Sequence, residues 1–169
     1  TFMEPFATCM HSVAQAQLRL GDTLVVVGDG QMGMQHVIIA KLMGLKVIVS
    51  GHHADRLELA KKVGADFAVN AHENDPVAKV KELTGGKGAD GVCVTAASGK
   101  GAEEALGMVA KTGTVVLYSG FRKGTTITFD PNLVHYGELV LTGAYGVGLR
   151  HRDPSLYQRA VALIATGRA

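Results

Sequence analysis

Six residues, Gly28-Asp29-Gly30-Gln31-Met32-Gly33, limit what this chain can fold into more than any others. They follow the wholly apolar run Leu24-Val25-Val26-Val27 and lead into helical spacing over 32–43. A bare G-x-G-x-x-G is a weak signal. One that closes a strand and opens a helix inside a strand–helix–strand unit is specific. Gly28 permits a tight turn, Gly30 leaves the backbone open to a pyrophosphate, and Gly33 lets the helix lie close on the strand. The first helical turn then offers free N–H groups and partial positive charge to phosphates. No Gly-Lys-Ser/Thr ends the turn, so it is not a nucleoside-triphosphate phosphate loop. A methyl-donor turn would carry a third glycine where Met32 stands.

The same alternation runs along the chain. Strands are expected over 24–27, 46–49, 67–70, 91–95, 114–118 and 139–142. Helices are expected over 32–43, 55–63, 76–83, 102–110 and 155–165, with a leading helix within 1–20. Gly44 and Gly64 stop two of them, and Pro76 sits in the first turn of a third, where a missing N–H costs nothing. Residues 125–129 alternate polar and apolar and read as an exposed hairpin piece. The strands are short, β-branched and apolar on both faces, as in a parallel sheet covered by helices on both sides. Right-handed crossovers leave little topological choice. The expected class is α/β: a doubly wound, six-stranded parallel sheet (a Rossmann fold) in the order 3-2-1-4-5-6.

Composition agrees. A chain of 169 residues is the size of one domain, and 47% hydrophobic with 19% charged residues is enough for a core and argues against disorder. A net charge of +2 with no basic run suggests no nucleic-acid surface. No apolar stretch reaches the roughly 18 residues of a membrane span, since Lys41, Gly44 and Lys46 break the longest candidate. Cys9 and Cys93 fall in apolar segments and read as small buried thiols of a reducing cytoplasm. The chain opens at Thr1 and closes on Thr166-Gly167-Arg168-Ala169, just as a helix ends. Both ends read as cut. The expectation is a piece of a larger protein, with 1–20 leading in from another domain and 21–169 forming the dinucleotide-binding unit.

An acid about 20 residues beyond the turn, at the end of the second strand, would mark NAD, because it accepts hydrogen bonds from the adenosine ribose. Here the strand ends Val49-Ser50-Gly51-His52-His53, and the first acid is Asp55. Without a carboxylate there is less repulsion against a 2′-phosphate, and Ser50, His52, His53 and Arg56 could donate to it. These residues favour NADP, with NAD as the alternative. A phosphate held by histidine should bind more tightly as pH falls toward ~6.5.

The chain resembles the cofactor domain of the medium-chain dehydrogenase/reductase family, in its zinc-dependent alcohol, polyol and threonine dehydrogenase branch. The resemblance runs over nearly the whole chain. It rests on Glu4-Pro5-Phe6, the glycine turn, Asp55-Arg56-Leu57-Glu58-Leu59-Ala60, Val63-Gly64-Ala65-Asp66 and Leu83-Thr84-Gly85-Gly86-Lys87-Gly88-Ala89-Asp90. Gly113, Tyr118-Ser119-Gly120-Phe121 and Glu138-Leu139 through Gly143-Ala144-Tyr145-Gly146 complete it. The resemblance implies phosphates on Gly30, Gln31, Met32 and Gly33. It implies an adenine pocket near Ser50, Gly51, His52, His53, Thr95 and Ala96. It implies a nicotinamide held by backbone at Ser119, Gly120, Phe121, Ala144 and Tyr145. NADP-using relatives often show Gly-Ser-Arg where this chain has Gly51-His52-His53. Relatives usually have a glycine where this chain has Ala97.

The resemblance also implies that Glu4 faces a catalytic zinc, as ligand or near neighbour. Read alone, an acid there favours a helix start. The family's zinc ligands lie in a preceding domain. His11, His36, His72, His135 and His151 are scattered with no metal-site spacing, and nothing singles out His135 or Tyr136 for catalysis. No catalytic residue is therefore expected in this chain. The implied parent is an oxidoreductase moving hydride between an alcohol or polyol and NAD(P), and homo-oligomeric through a sheet-edge strand over 138–144. Taken alone, this chain is expected to bind cofactor without catalysing. The alternatives are a zinc-free quinone or enoyl reductase domain and a non-enzymatic NAD(P)-binding module.

Overall fold

The computed structural model describes residues 2–146 and 155–167. Thr1, His151, Arg168 and Ala169 lie outside the described residues. The elements run α1 (Met3–Gln15), β1 (Thr23–Val27), α2 (Gln31–Leu42), β2 (Lys46–Gly51), α3 (Ala54–Lys62), β3 (Phe67–Asn70) and α4 (Pro76–Leu83). They continue with β4 (Ala89–Val94), α5 (Gly99–Met108), β5 (Val109–Leu117), α6 (Pro131–Gly137), β6 (Val140–Gly143) and α7 (Ser155–Ala165). The six strands form one sheet in the order β3-β2-β1-β4-β5-β6, and every pairing is parallel. This is the expected Rossmann arrangement.

The doubly apolar strands explain the layers. Leu24 and Val26 of β1, Val47 and Val49 of β2 and Cys93 of β4 enter one core with α1, α2, α3 and α7. Val25 and Val27, Ile48, Val92 and Val94 enter the other, beneath α4 and α5. Alternate residues of each strand thus feed opposite cores, which is why no polar face interrupts these runs. Gly44 (φ +75°) and Gly64 (φ +116°) end α2 and α3 in backbone conformations that L side chains rarely adopt.

Four local expectations are corrected. Residues 125–129 form no strand: Thr128 N donates to the Glu103 carboxylate at 2.8 Å and Ile127 packs on the core beneath α5. Their alternation is a one-sided contact with a helix, with no strand to pair. The helix expected to 110 stops at Met108, and β5 begins at once at Val109. The register of β5 against β4 slips between Ala89 and Gly91, and Thr112 (φ 64°) absorbs the irregularity. A seventh helix, α6, was not foreseen; Asp130 caps it by accepting from Asn132 N at 2.9 Å, and Pro131 occupies its first turn. Glu138 is the left-handed C-cap of α6 (φ 48°), so the edge strand begins at Val140.

Candidate functional site

β1 lies between β2 and β4, and the chain leaves these strands toward opposite faces. This is the switch point where an open α/β sheet takes its ligand. Val27, the last residue of β1, pairs with Ser50 on one side and Val94 on the other. The glycine turn is pinned at that level. Gly28 N donates to Ser50 O at 2.8 Å, and Thr95 N donates to Val27 O at 2.9 Å. The Thr95 hydroxyl also donates to Val27 O at 3.1 Å.

The three glycines behave differently. Gly28 has φ +124°, and a Cβ there would lie 2.5 Å from Thr95 Oγ1. A Cβ on Gly33 would land on the Gly28 carbonyl oxygen. A Cβ on Gly30 would meet no protein atom within 4 Å. Gly28 and Gly33 are therefore required by the fold, whereas the space before Gly30 is open. Gly30 is also the N-cap of α2 and makes no side-chain cap, so the first N–H groups of the helix, with no carbonyl ahead of them, face that space. The turn thus fits a phosphate ligand.

Asp29, a variable position of the motif, is the site residue that sequence reasoning missed. Its side chain is only 9% exposed and crosses to the tip of β2. Its Oδ2 accepts from His52 N at 2.8 Å and His53 N at 2.7 Å, and lies 3.0 Å from His53 Nδ1. Arg56 Nη1 stands 3.9 Å from Oδ1. Burial opposes ionisation of Asp29, but the amides of His53 and His52 and the His53 ring outweigh it, and the carboxyl titrates below its ordinary range. β2 itself bears no acid, as read from the sequence, yet a carboxylate stands at its tip. A Cβ on Gly51 would lie 2.5 Å from the Asp29 Cβ; the missing side chain at 51 was the one available signal.

Ser50, His52 and Ala96 line a small cavity of about 80 Å³ together with Val27, Gly28 and Ser98. Thr95 is not part of it; its hydroxyl serves the turn. His52 meets His72 edge-on at 4.7 Å, so one expected donor leans on the β3 loop.

On the other side of the turn, Ser119, Gly120, Ala144 and Tyr145 line a cavity of about 430 Å³ with His11 and Tyr118. Phe121 is separate, packing on the core beneath α5. Between turn and cavity lies a polar knot. The Tyr118 hydroxyl is 3.0 Å from the Thr8 hydroxyl and 3.3 Å from Met32 Sδ, and Cys9 Sγ is 3.5 Å from both Tyr118 Oη and Gln35 Oε1. Burial pushes the Cys9 thiol up to about 11 and the Tyr118 phenol up to about 12, so both stay protonated near neutrality. Glu4 is exposed in the first turn of α1, and its charge adds to both shifts. Among the described residues no three His, Cys, Asp or Glu side chains gather as metal ligands. Glu4 alone does not make a zinc site. A cavity of about 700 Å³ beside Thr23, Lys46 and Asp90 opens at the opposite end of the sheet, away from the turn.

Residues 30–166 match the family model described as zinc-binding dehydrogenase. The chain is 33% identical over 168 residues to the erythritol/L-threitol dehydrogenase of Mycolicibacterium smegmatis, covering 98% of this chain and 44% of that protein. It is 32% identical over 152 residues to the L-threonine 3-dehydrogenase of Pyrococcus horikoshii, covering 89% and 42%. Among solved structures, a candidate zinc-binding dehydrogenase of Sinorhizobium meliloti 1021 bound to NADP superposes with a TM-score of 0.89 at 28% identity, covering 99% of this chain and 48% of that one. An alcohol dehydrogenase from Thermus sp. ATN1 gives 0.88 at 25% identity, covering 99% and 47%. The chain spans less than half the length of these proteins. The resemblance stated from the sequence is borne out: the chain belongs to the zinc-binding dehydrogenase family.

Proposed function

We propose that this chain binds a nicotinamide adenine dinucleotide and positions it for hydride exchange with an alcohol or polyol in the whole protein. The observation that carries the reading is the glycine turn. Gly28 is fixed by its positive φ and the Thr95 hydroxyl and Gly33 by the Gly28 carbonyl, while Gly30 faces open space at an uncapped helix start. The pyrophosphate accepts from the N–H groups at Gln31, Met32 and Gly33. The adenosine lies toward Ser50, His52 and Ala96, and the nicotinamide toward Met32, Tyr118, Ser119 and Ala144. When bound, the nicotinamide supplies the hydride acceptor or donor. The chain's own groups exclude water from one face of that ring and hold it by backbone. Cys9 and Tyr118 remain neutral there and offer no charge to the cationic, oxidised ring.

The substrate class follows from the relatives' names, which include an erythritol/L-threitol, a sorbitol and a threonine dehydrogenase. Residues 1–20 connect residues 21–169 to a zinc-bearing domain, where Glu4 would stand as ligand or near neighbour of the metal. The other ligands belong to the part of the relatives' length that this chain does not span. Zinc polarises the alcohol oxygen when bound there. The open edge of β6 pairs two copies, and two buried free thiols suit a reducing cytoplasm. The sequence expectation of NADP presumed a strand tip without a carboxylate, so the choice of dinucleotide turns on Asp29.

The test is a titration of the protein with NADH and NADPH, followed by nicotinamide fluorescence, with S-adenosylmethionine as competitor. Saturable binding of at least one dinucleotide that the competitor does not reverse is expected. Displacement by S-adenosylmethionine, or no binding of either nucleotide, would overturn the reading.

A further inference from the structure

In a dinucleotide-binding sheet, the end of the second strand is where an acid separates a free ribose 2′-hydroxyl from a 2′-phosphate. That position in β2 is Gly51. We infer that Asp29, reaching across from the glycine turn, is the cofactor-selecting carboxylate of this site and favours NAD over NADP. The inference rests on the dinucleotide reading above and specifies it further.

Space supports it first. A Cβ on Gly51 would lie 2.5 Å from the Asp29 Cβ and 2.6 Å from its Oδ2. The Asp29 side chain therefore fills the volume that an acid on residue 51 would enter. Gly28 and His52, its chain neighbour and its hydrogen-bond partner, both line the small cavity at the strand tip. The carboxylate is thus tied to two residues that line this cavity.

Hydrogen bonding supports it second. Successive backbone amides form a concavity that takes anions. The amides of His52 and His53 both point at Asp29 Oδ2, at 2.8 and 2.7 Å. A 2′-phosphate at this strand tip would need the same donors, and they are held by an anion the protein carries. Neighbouring basic side chains, half exposed at His53 and Arg56, lean toward carboxylates as well. His53 Nδ1 lies 3.0 Å from Oδ2 and Arg56 Nη1 3.9 Å from Oδ1. Lys100, which lines the cavity, lies 3.5 Å from Glu104. An incoming phosphate would thus meet a like charge, with both strand-tip amides already bonded to it. A ribose hydroxyl meets no such repulsion, and Asp29 Oδ1, which accepts from neither amide and lies 3.3 Å from His53 Nδ1, keeps a lone pair to receive its hydrogen bond.

The test compares Kd for NADH and NADPH in wild type and in Asp29→Asn. Asparagine keeps one oxygen for both amides, removes the charge and puts an NH2 donor in place of Oδ1. Wild type is expected to prefer NADH by roughly tenfold or more, the size of a one-unit effect between neighbouring like charges. Asp29→Asn is expected to narrow that ratio by about tenfold, mainly through tighter NADPH binding. A role confined to holding the loop would weaken both nucleotides alike and leave the ratio unchanged, which would overturn the inference. A wild-type preference for NADPH, or none, would overturn it too, and decides the matter even if the variant does not fold. Either result leaves the dinucleotide reading standing, whereas no binding of either nucleotide removes both.

Discussion

His36 lies wholly out of solvent in α2, and its Nδ1 is 2.7 Å from the carbonyl oxygen of Met32 one turn earlier. A carbonyl only accepts, so Nδ1 carries the proton and Nε2 is bare. Nε2 has no hydrogen-bond partner, and the ring meets Tyr118 edge-on at 4.7 Å. Burial lowers the imidazole pKa to about 4, against the weaker opposing effect of the Met32 carbonyl. The folded value lies below the unfolded one, so the stabilisation is complete above about 6.5 and drains away as pH falls toward about 4. Urea unfolding should therefore lose roughly 3 kcal/mol across that window, at about 1.4 kcal/mol per unit. His36→Gln should remove most of this slope; an unchanged slope in the variant would place the acid sensitivity elsewhere. Gly33 is a second single-residue test. The Cβ of Gly33→Ala would push against backbone at Gly28, so a loss of about 1–3 kcal/mol is expected, together with weaker NADH binding. The need for Gly33 was legible in the sequence because the motif encodes a backbone distance. The reach of Asp29 was not, because spacing along the chain says nothing about where a variable side chain turns.

At the scale of elements, the helices divide by how they begin. α4, α5 and α6 are capped by the side chains of Asp75, Ser98 and Asp130. Asp75 accepts from Val77 N at 2.9 Å and Ala78 N at 3.2 Å, so Asp75→Ala should cost about 1 kcal/mol in urea unfolding with no change in nucleotide affinity. α2 begins instead on Gly30 with φ −80° and no cap bond, a conformation open to any residue. Gly30→Asp should therefore hold or slightly raise stability, by a few tenths of a kcal/mol, while abolishing NADH binding through its negative charge at the helix start. A variant that lost stability and kept affinity would contradict this. Most elements were readable because doubly apolar strands and glycine stops are local signals. α6 escaped because only seven residues carry it, although Asp130-Pro131 is a sound helix opening. Residues 125–129 misled because a strand needs a partner, and alternation does not supply one.

At the scale of the whole molecule, the described residues leave the β6 edge of the sheet apolar. Val140 and Leu141 of β6 are 50% and 40% exposed, and among the described residues β6 pairs with β5 alone. An unpaired apolar edge of this kind invites a second copy. Sedimentation of the protein should give a dimer, and Leu141→Lys should shift it toward monomer; a monomeric wild type would refute the edge pairing. The two thiols have a further consequence. Cys9 and Cys93 are both shut away from solvent, and burial raises the Cys93 thiol to about 12. Cys9 ties α1 to α2 through Gln35, and Cys93, one residue before the end of the central strand β4, meets Ser12 Oγ of α1 at 3.8 Å. Alkylation of either must wait for an opening event, and α1 lies over both. Labelling of either thiol would clock the lifting of α1, which carries Cys9 and covers Cys93 through Ser12. The molecule carries, in its own sequence, a paired timer for that one opening.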